Sequence, residues 1–286
     1  MRTICTLWKV LVSALVLSFA LNASAAESKV IKIGTLPWED VMPLTGIAKR
    51  FLEKEGYTVQ VTTFADWGIA FSALSRGDVD LMVSHINYVT ADYWKRNKDR
   101  MEKVSTASHG LRQGLVVPAY MPINSIDQLN SIKDQVGGKI IGIEAGSGVM
   151  QETANAVKQY GLQYQLVEGS TAAMIAQLQS AIERKQPIVT MLWQPSWMDM
   201  KFKVKYLDDP KHVYAPPQTY YWIAKKGWSA ANPHAREAMA SMFVPIDDIT
   251  RMNTAVNDGK TMDQAIDGWW KDHTDLVNRW AVLSSN

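Results

Sequence analysis

Cysteine is almost absent from this chain: 286 residues hold one, Cys5. A lone cysteine so close to the N-terminus excludes a disulfide framework, a thiolate nucleophile and a cysteine-bound metal from the body of the protein. Basic blocks are missing as well. Thirty Lys and Arg stand against 28 Asp and Glu, interspersed along the chain, which argues against nucleic acid or an anionic membrane as the main partner. None of the five histidines (His85, His109, His212, His234, His273) pairs with another at the i, i+4 spacing of a helical zinc site, so no metal is expected. There is no short-period repeat, low-complexity tract or Gly/Ser linker. Nowhere does an apolar run reach the roughly 20 residues that a spanning helix needs.

What is present begins with a leader. Arg2 and Lys9 precede an apolar run from Val10 to Leu21, and Ala23-Ser24-Ala25 supplies small residues for cleavage. This is the pattern of a secretory signal peptide, residues 1–25, and it predicts an exported, periplasmic protein. Removing Arg2 and Lys9 with the leader leaves 28 basic residues against 28 acidic ones. The remainder, about 260 residues without cysteine, must be held by its core alone, and a chain of that length can form two lobes. It is expected to act as a monomer.

Strand and helix patterns alternate. Lys29–Leu36 (KVIKIGTL), Tyr57–Phe64 (YTVQVTTF) and Asp80–Ile86 (DLMVSHI) read as strands, separated by helical patterns at Pro43–Glu55 and Trp67–Ser75. A second set follows: a strand at Leu115–Tyr120, a short helix capped by Ser125, a strand at Gly138–Glu144, and a helix from Val149 to Tyr160. It continues with a strand near Tyr164–Val167, a helix over Thr171–Lys185 and a strand over Pro187–Trp193. Tyr220–Lys225 reads as a return strand and the C-terminal part as helical. Such βα units predict an α/β fold, each lobe a mixed, mainly parallel sheet flanked by helices. The pieces Ala70–Asn87 and Met174–Pro195 echo one another, which suggests two lobes built alike. Lobe 1 is expected over 26–117 with 218–286, lobe 2 over 118–217, with hinges near Val116–Tyr120 and Pro216–Trp222.

Open α/β sheets place ligands at strand C-termini. Trp38, Glu39 and Asp40 follow the first strand; His85, Asn87 and Tyr88 follow the third; Glu144 to Ser147 follow the second set's strand; Trp193 and Trp197 follow the last. Aromatic faces with one or two carboxylates suit a bulky organic cation, because a quaternary ammonium has no N–H to donate and is held by π-faces and diffuse charge. Each residue has a plainer reading beside this one. Trp38 and Trp197 are also packing residues, Asp40 also a helix cap, His85 also a structural histidine and Glu144 also an ion-pair partner. Trp193, with Pro195 breaking its strand, is the hardest to explain as packing. A serine hydrolase using Ser147 and His85 is the rival of another class, although EAGSG has Ala145 where the G-x-S-x-G turn requires glycine. The same GSG is too short for a dinucleotide fingerprint, so no cofactor is expected.

The motifs GTLPWED, FLEKEGYTV, ALSRGDVDLMVS, GLVVPAY, GKIIGIEAGSGVM, TAAMIAQLQSAIERKQPIVTMLWQPSWM, YLDDPK and DGWW resemble the glycine betaine/choline-type substrate-binding proteins of ABC importers over nearly all of the chain past the leader. That resemblance implies a two-lobed type II periplasmic binding protein fold, a quaternary ammonium ligand in an aromatic box, delivery to an inner-membrane permease, and no enzymatic activity. Trp38 and Trp193 match box positions and Asp40 an acidic position of choline-type members. His85 stands where many members carry tryptophan, and Ser147 where some do. The ligand is therefore left between a betaine, choline or carnitine and an amino acid or amine with N–H donors, such as histidine; docking to a receptor rather than a permease stays open too. The candidate ligand-binding set is Trp38, Asp40, His85, Glu144, Ser147, Trp193 and Trp197.

Overall fold

The computed structural model describes residues 28–285; the leader read at residues 1–25, with Cys5, lies outside them. The first βα set is β1 (Val30–Thr35), α1 (Met42–Lys54), β2 (Thr58–Thr63), α2 (Trp67–Arg76), β3 (Leu81–Ser84) and α3 (Ala91–Asn97). Pro43 opens α1 and Leu44, Ile47, Phe51 and Leu52 form its buried face. Asp66 caps α2 by accepting from the Ile69 amide at 2.9 Å, and Gly77 ends it in the left-handed conformation.

A single long strand, β4 (Met101–Pro118), then carries the chain into the second half. There follow a 3₁₀ helix (Ile126–Val136), β5 (Lys139–Ile141), α4 (Gly148–Gln159), β6 (Gln165–Val167), α5 (Thr171–Glu183), β7 (Thr190–Gln194), α6 (Trp197–Lys201) and β8 (Val204–Tyr206). β9 (Gln218–Lys225) returns to the first half. The helices α7 (Trp228–Ala231), α8 (Pro233–Ser241), α9 (Ile246–Asn257), α10 (Met262–Asp272) and α11 (Thr274–Ser284) then pack onto that half or close the chain.

The strands run in the order β2-β1-β3-β9-β4-β7-β5-β6, with β8 added on β4. Pairs β1/β2, β1/β3, β5/β6 and β5/β7 are parallel, as the βα repeats predict. Pairs β3/β9, β4/β9, β4/β7 and β4/β8 are antiparallel, so the sheet is mixed, as expected, with as many antiparallel pairs as parallel ones. The antiparallel pairs all involve β4 or β9, which cross the middle of the molecule in opposite directions. Only the last part of β4 was marked as a strand by its sequence; residues 101–114 (MEKVSTASHGLRQG) are too polar and too irregular in alternation to stand out.

Two hydrophobic cores flank this crossing. One draws on Ile31, Leu44, Phe51, Leu81, Trp222 and Trp280; the other on Leu115, Ile126, Leu129, Met174, Leu178 and Met191. β4 pairs with β9 up to Leu111 and with β7 from Arg112 onward. The change of partner falls between Leu111 and Arg112, on the same strand that carries Val116 to Pro118. Gly110 sits just ahead of the change with φ +116°, and a Cβ there would lie 3.1 Å from Ile246 Cγ2.

Gly110→Ala is expected to lower unfolding free energy by at least about 1 kcal/mol, since L residues avoid this backbone conformation. Urea denaturation against wild type checks it; an unchanged midpoint and slope would contradict it.

Candidate functional site

A cavity of about 270 Å³ opens between the two cores beside the β4 crossing. That volume suits a small solute rather than a drug-sized one. Four of the seven candidate residues line it: Trp38, Asp40, His85 and Trp193. Glu39, Tyr88, Val89, Leu111, Gln113 and Pro195 complete the wall. A larger hollow of about 450 Å³ lies on the second half between Lys139 and Val189, but its lining has no aromatic ring and no carboxylate to hold a cation.

Each wall residue is placed by a local device. Trp38, Glu39 and Asp40 occupy the turn between β1 and α1, where the Trp38 carbonyl accepts from the Val41 and Met42 amides at 3.3 and 3.1 Å. Trp38 is 41% exposed, unusual for an indole, and its open face belongs to the cavity. Behind it Trp67 packs edge-on at 5.4 Å, and His85 lies 5.3 Å from Trp67 and 5.5 Å from Tyr220. Trp67, read from its helical pattern as packing, thus backs the wall. Trp193 is the penultimate residue of β7 and pairs with Gln113 of β4, so a strand of the second core delivers the second indole. β7 ends at Gln194, directly before Pro195.

The polar groups form two sets. At the base, Asp40 Oδ2 accepts from Tyr220 Oη at 3.1 Å and lies 3.2 Å from His85 Nε2. His85 is 1% exposed, its Nδ1 is buried without a partner, and its Nε2 faces Asp40. Burial first, then the Asp40 charge, pushes the Tyr220 hydroxyl well above its ordinary range, so it stays a donor. The other set spans the gap between the cores. Trp193 Nε1 donates to Glu39 Oε1 at 3.2 Å, and Ser196 also bonds this carboxylate. Burial raises the Glu39 carboxyl, the two hydrogen bonds oppose it, and nearby Asp40 and Asp199 add to the rise. On the far side, Gln113 Nε2 donates to Tyr88 Oη and, at 2.6 Å, to Glu152 Oε2.

Three candidates stand apart from the cavity lining. Glu144 is exposed and accepts from the Thr171 amide at 2.9 Å and the Thr171 hydroxyl at 2.7 Å, bonds that hold its carboxyl below the usual range. Its role is at the start of α5. Ser147 occupies the N-cap position of α4 with its hydroxyl buried and unpartnered, while His85 Nε2 faces Asp40, so no serine–histidine dyad is assembled. Trp197 opens α6, packs against the second core with Phe202 at 5.9 Å, and carries Lys201 Nζ 5.1 Å above its ring. The wall residues that the sequence reading did not assign are of two kinds. Glu39 and Tyr88 were visible at strand ends beside chosen residues; Leu111 and Gln113 lie in the unmarked part of β4. Among the described residues no group of three or more His, Cys, Asp or Glu stands close enough to hold a metal ion.

Comparison with known proteins places this geometry in a family. The family described as the substrate binding domain of ABC-type glycine betaine transport systems matches residues 29–272. The chain belongs to it. A glycine betaine/carnitine transport binding protein of Listeria monocytogenes is 38% identical over 157 residues, a match that spans 54% of this chain and about half, 52%, of that relative. The glycine betaine/proline betaine-binding periplasmic protein of Escherichia coli is 26% identical, across 82% of this chain and 84% of its own. Among solved structures, lactococcal OpuAC in its closed, glycine betaine-bound form superposes with a TM-score of 0.71 at 27% identity, covering 88% of this chain and 99% of that one. The fold of this binding-protein family is thus the type II periplasmic one, with the cavity between its two halves.

One further carboxylate marks the gap. Asp199 of α6 accepts from Tyr206 Oη at 3.0 Å, its Oδ2 is buried and unpartnered, and α6 packs on α9 of the other half. Burial raises its carboxyl to about 6, against the lowering effects of Tyr206 and Arg112, with Asp247 adding to the rise. A folded-state value above the unfolded one means that ionised Asp199 costs stability above pH about 6, a cost that disappears as pH falls through 6 toward 4. Asp199→Asn is therefore expected to be more stable than wild type by about 1 kcal/mol at pH 7.5 and no more stable at pH 4. Thermal denaturation of both proteins at the two pH values reads this; an equal difference at both would contradict it.

Proposed function

We propose that this chain is the exported substrate-binding protein of an ABC importer and captures a small quaternary ammonium solute of the glycine betaine, choline or carnitine class between its halves. The observation that carries the reading is the meeting of Trp38 from one core and Trp193 from the other in one cavity, with the hydrogen-bonded Asp40 carboxylate beside them. The indoles provide π-faces for the methylated ammonium, at about 0.5 to 2 kcal/mol per desolvated contact, and Asp40 provides the opposite charge. Two such contacts supply up to about 4 of the roughly 8 kcal/mol that micromolar affinity requires, and the carboxylate and the burial of the methyl groups supply the rest. His85 holds Asp40 in place, and Trp67 backs the Trp38 and His85 rings.

The printed names of the relatives, glycine betaine and carnitine binding proteins, support the same ligand class. We read lobe 1 as 26–117 with 218–286 and lobe 2 as 118–217, closing by hinge motion about the two chain crossings that join them, β4 and the stretch from Pro216 into β9. The leader at residues 1–25 directs export, the relatives include periplasmic proteins, and no described helix is long and apolar enough to cross a membrane. A monomer delivering its ligand to a permease in the membrane completes the reading, and no covalent step is needed.

Trp193→Ala is expected to weaken binding of the preferred cation by at least about 1 kcal/mol, roughly fivefold, while circular dichroism stays that of wild type. Titration calorimetry with choline, glycine betaine, carnitine and histidine tests both points. A folded variant with undiminished affinity would remove Trp193 from the site, and tight binding of histidine alone would replace the ligand class.

A further inference from the structure

The charges around the cavity are one-sided. Its lining includes two carboxylates, Glu39 and Asp40, and neither lysine nor arginine. Beyond the lining, Asp199 is close enough to act on Glu39 and is itself offset in part by Arg112. The two lining carboxylates are held differently. Asp40 is anchored within its own half by Tyr220 and His85, whereas Glu39 reaches from the β1–α1 turn to Trp193 and Ser196 of the other half. A ligand ammonium lying against the Trp193 indole therefore lies next to the Glu39 carboxylate as well.

A betaine carries its own carboxylate only a few bonds from the ammonium. The two acids that line the cavity are carboxylates, so the betaine carboxylate meets a like charge inside it, and like charges in a partly desolvated site repel more strongly than in water. A choline-type cation carries a hydroxyl in place of the carboxylate, and a hydroxyl donates a hydrogen bond to either acid.

Resting on the quaternary ammonium reading above, we propose that Glu39 sets the ligand preference of this cavity: its carboxylate, held against Trp193 across the gap, selects quaternary cations that lack a carboxylate over betaines. The discrimination then depends on the charge of Glu39, and its hydrogen bond to Trp193 serves to aim that charge.

Titration calorimetry at pH 7.5 with choline and with glycine betaine, on wild type, Glu39→Gln and Glu39→Asp, tests this. Wild type is expected to bind choline at least tenfold more tightly than glycine betaine. Glu39→Gln keeps the size and an acceptor for Trp193 but loses the charge, and is expected to narrow that ratio at least fivefold, chiefly by strengthening glycine betaine relative to choline. Glu39→Asp keeps the charge and shortens the reach, and is expected to retain the preference at lower affinity. It decides the matter alone if the Gln variant does not fold. Wild-type preference for glycine betaine, equal weakening of both ligands by Glu39→Gln, or loss of the preference in Glu39→Asp would overturn the proposal. Wild type that binds neither ligand would instead overturn the quaternary ammonium reading, and this proposal with it.

Discussion

Asp40 accepts from Tyr220 Oη and lies 3.2 Å from His85 Nε2 inside a shell of aromatic rings, and these two contacts allow a carboxylate to stand at the base of an apolar cavity. Without polar partners, a charge in such surroundings costs several kcal/mol. With them, the cavity offers an organic cation both a π-face and a counter-ion. The same contacts accompany the burial of His85, a polar ring that is 1% exposed among Trp38, Trp67 and Tyr220. Asp40 and Trp38 come from one turn, Tyr220 from β9 and His85 from the end of β3, so the base of the site is assembled wholly within the first core.

The other wall depends on β4. Because one strand pairs first with β9 and then with β7, the two cores meet at Leu111 and Gln113, and both residues line the cavity. Trp193 is set directly opposite Gln113 in the ladder, so the second indole is positioned by backbone hydrogen bonds rather than by side-chain packing alone. Polar contacts then join the halves on either side of the cavity, Glu39 to Trp193 on one and Tyr88 with Gln113 and Glu152 on the other. These contacts are few and lie in or beside the solvent gap, as suits two bodies that separate to admit a ligand and close again.

Much of this was legible in the sequence because it follows short-range rules. The βα alternation and the placing of Trp38, Asp40, His85 and Trp193 at strand ends required only periodicity and the location of ligand sites in open sheets. Three features were hidden for physical reasons. The first part of β4 is polar and interrupted by Gly110, so its strand character arises from pairing with β9 rather than from its own pattern. Glu39 looked like one more acid after the first strand, and only the other half of the molecule, 154 residues along the chain, gives it a partner. Glu144, Ser147 and Trp197 also follow strands, but local partners claim two of them: Thr171 takes Glu144 to a helix start and Phe202 takes Trp197 to the second core. Ser147 stands at the start of α4, a little beyond the wall.

Binding across two cores makes a demand that a solute held by one half would not. The ammonium must touch an indole delivered by β1 and α1 and an indole delivered by β7 at the same time. A crystal structure of the protein with choline or glycine betaine measures that directly. The methylated nitrogen is expected between Trp38 and Trp193, within about 6 Å of both ring centroids and beside the Asp40 carboxylate. Density for the cation against one indole only, or in another hollow of the molecule, would contradict it.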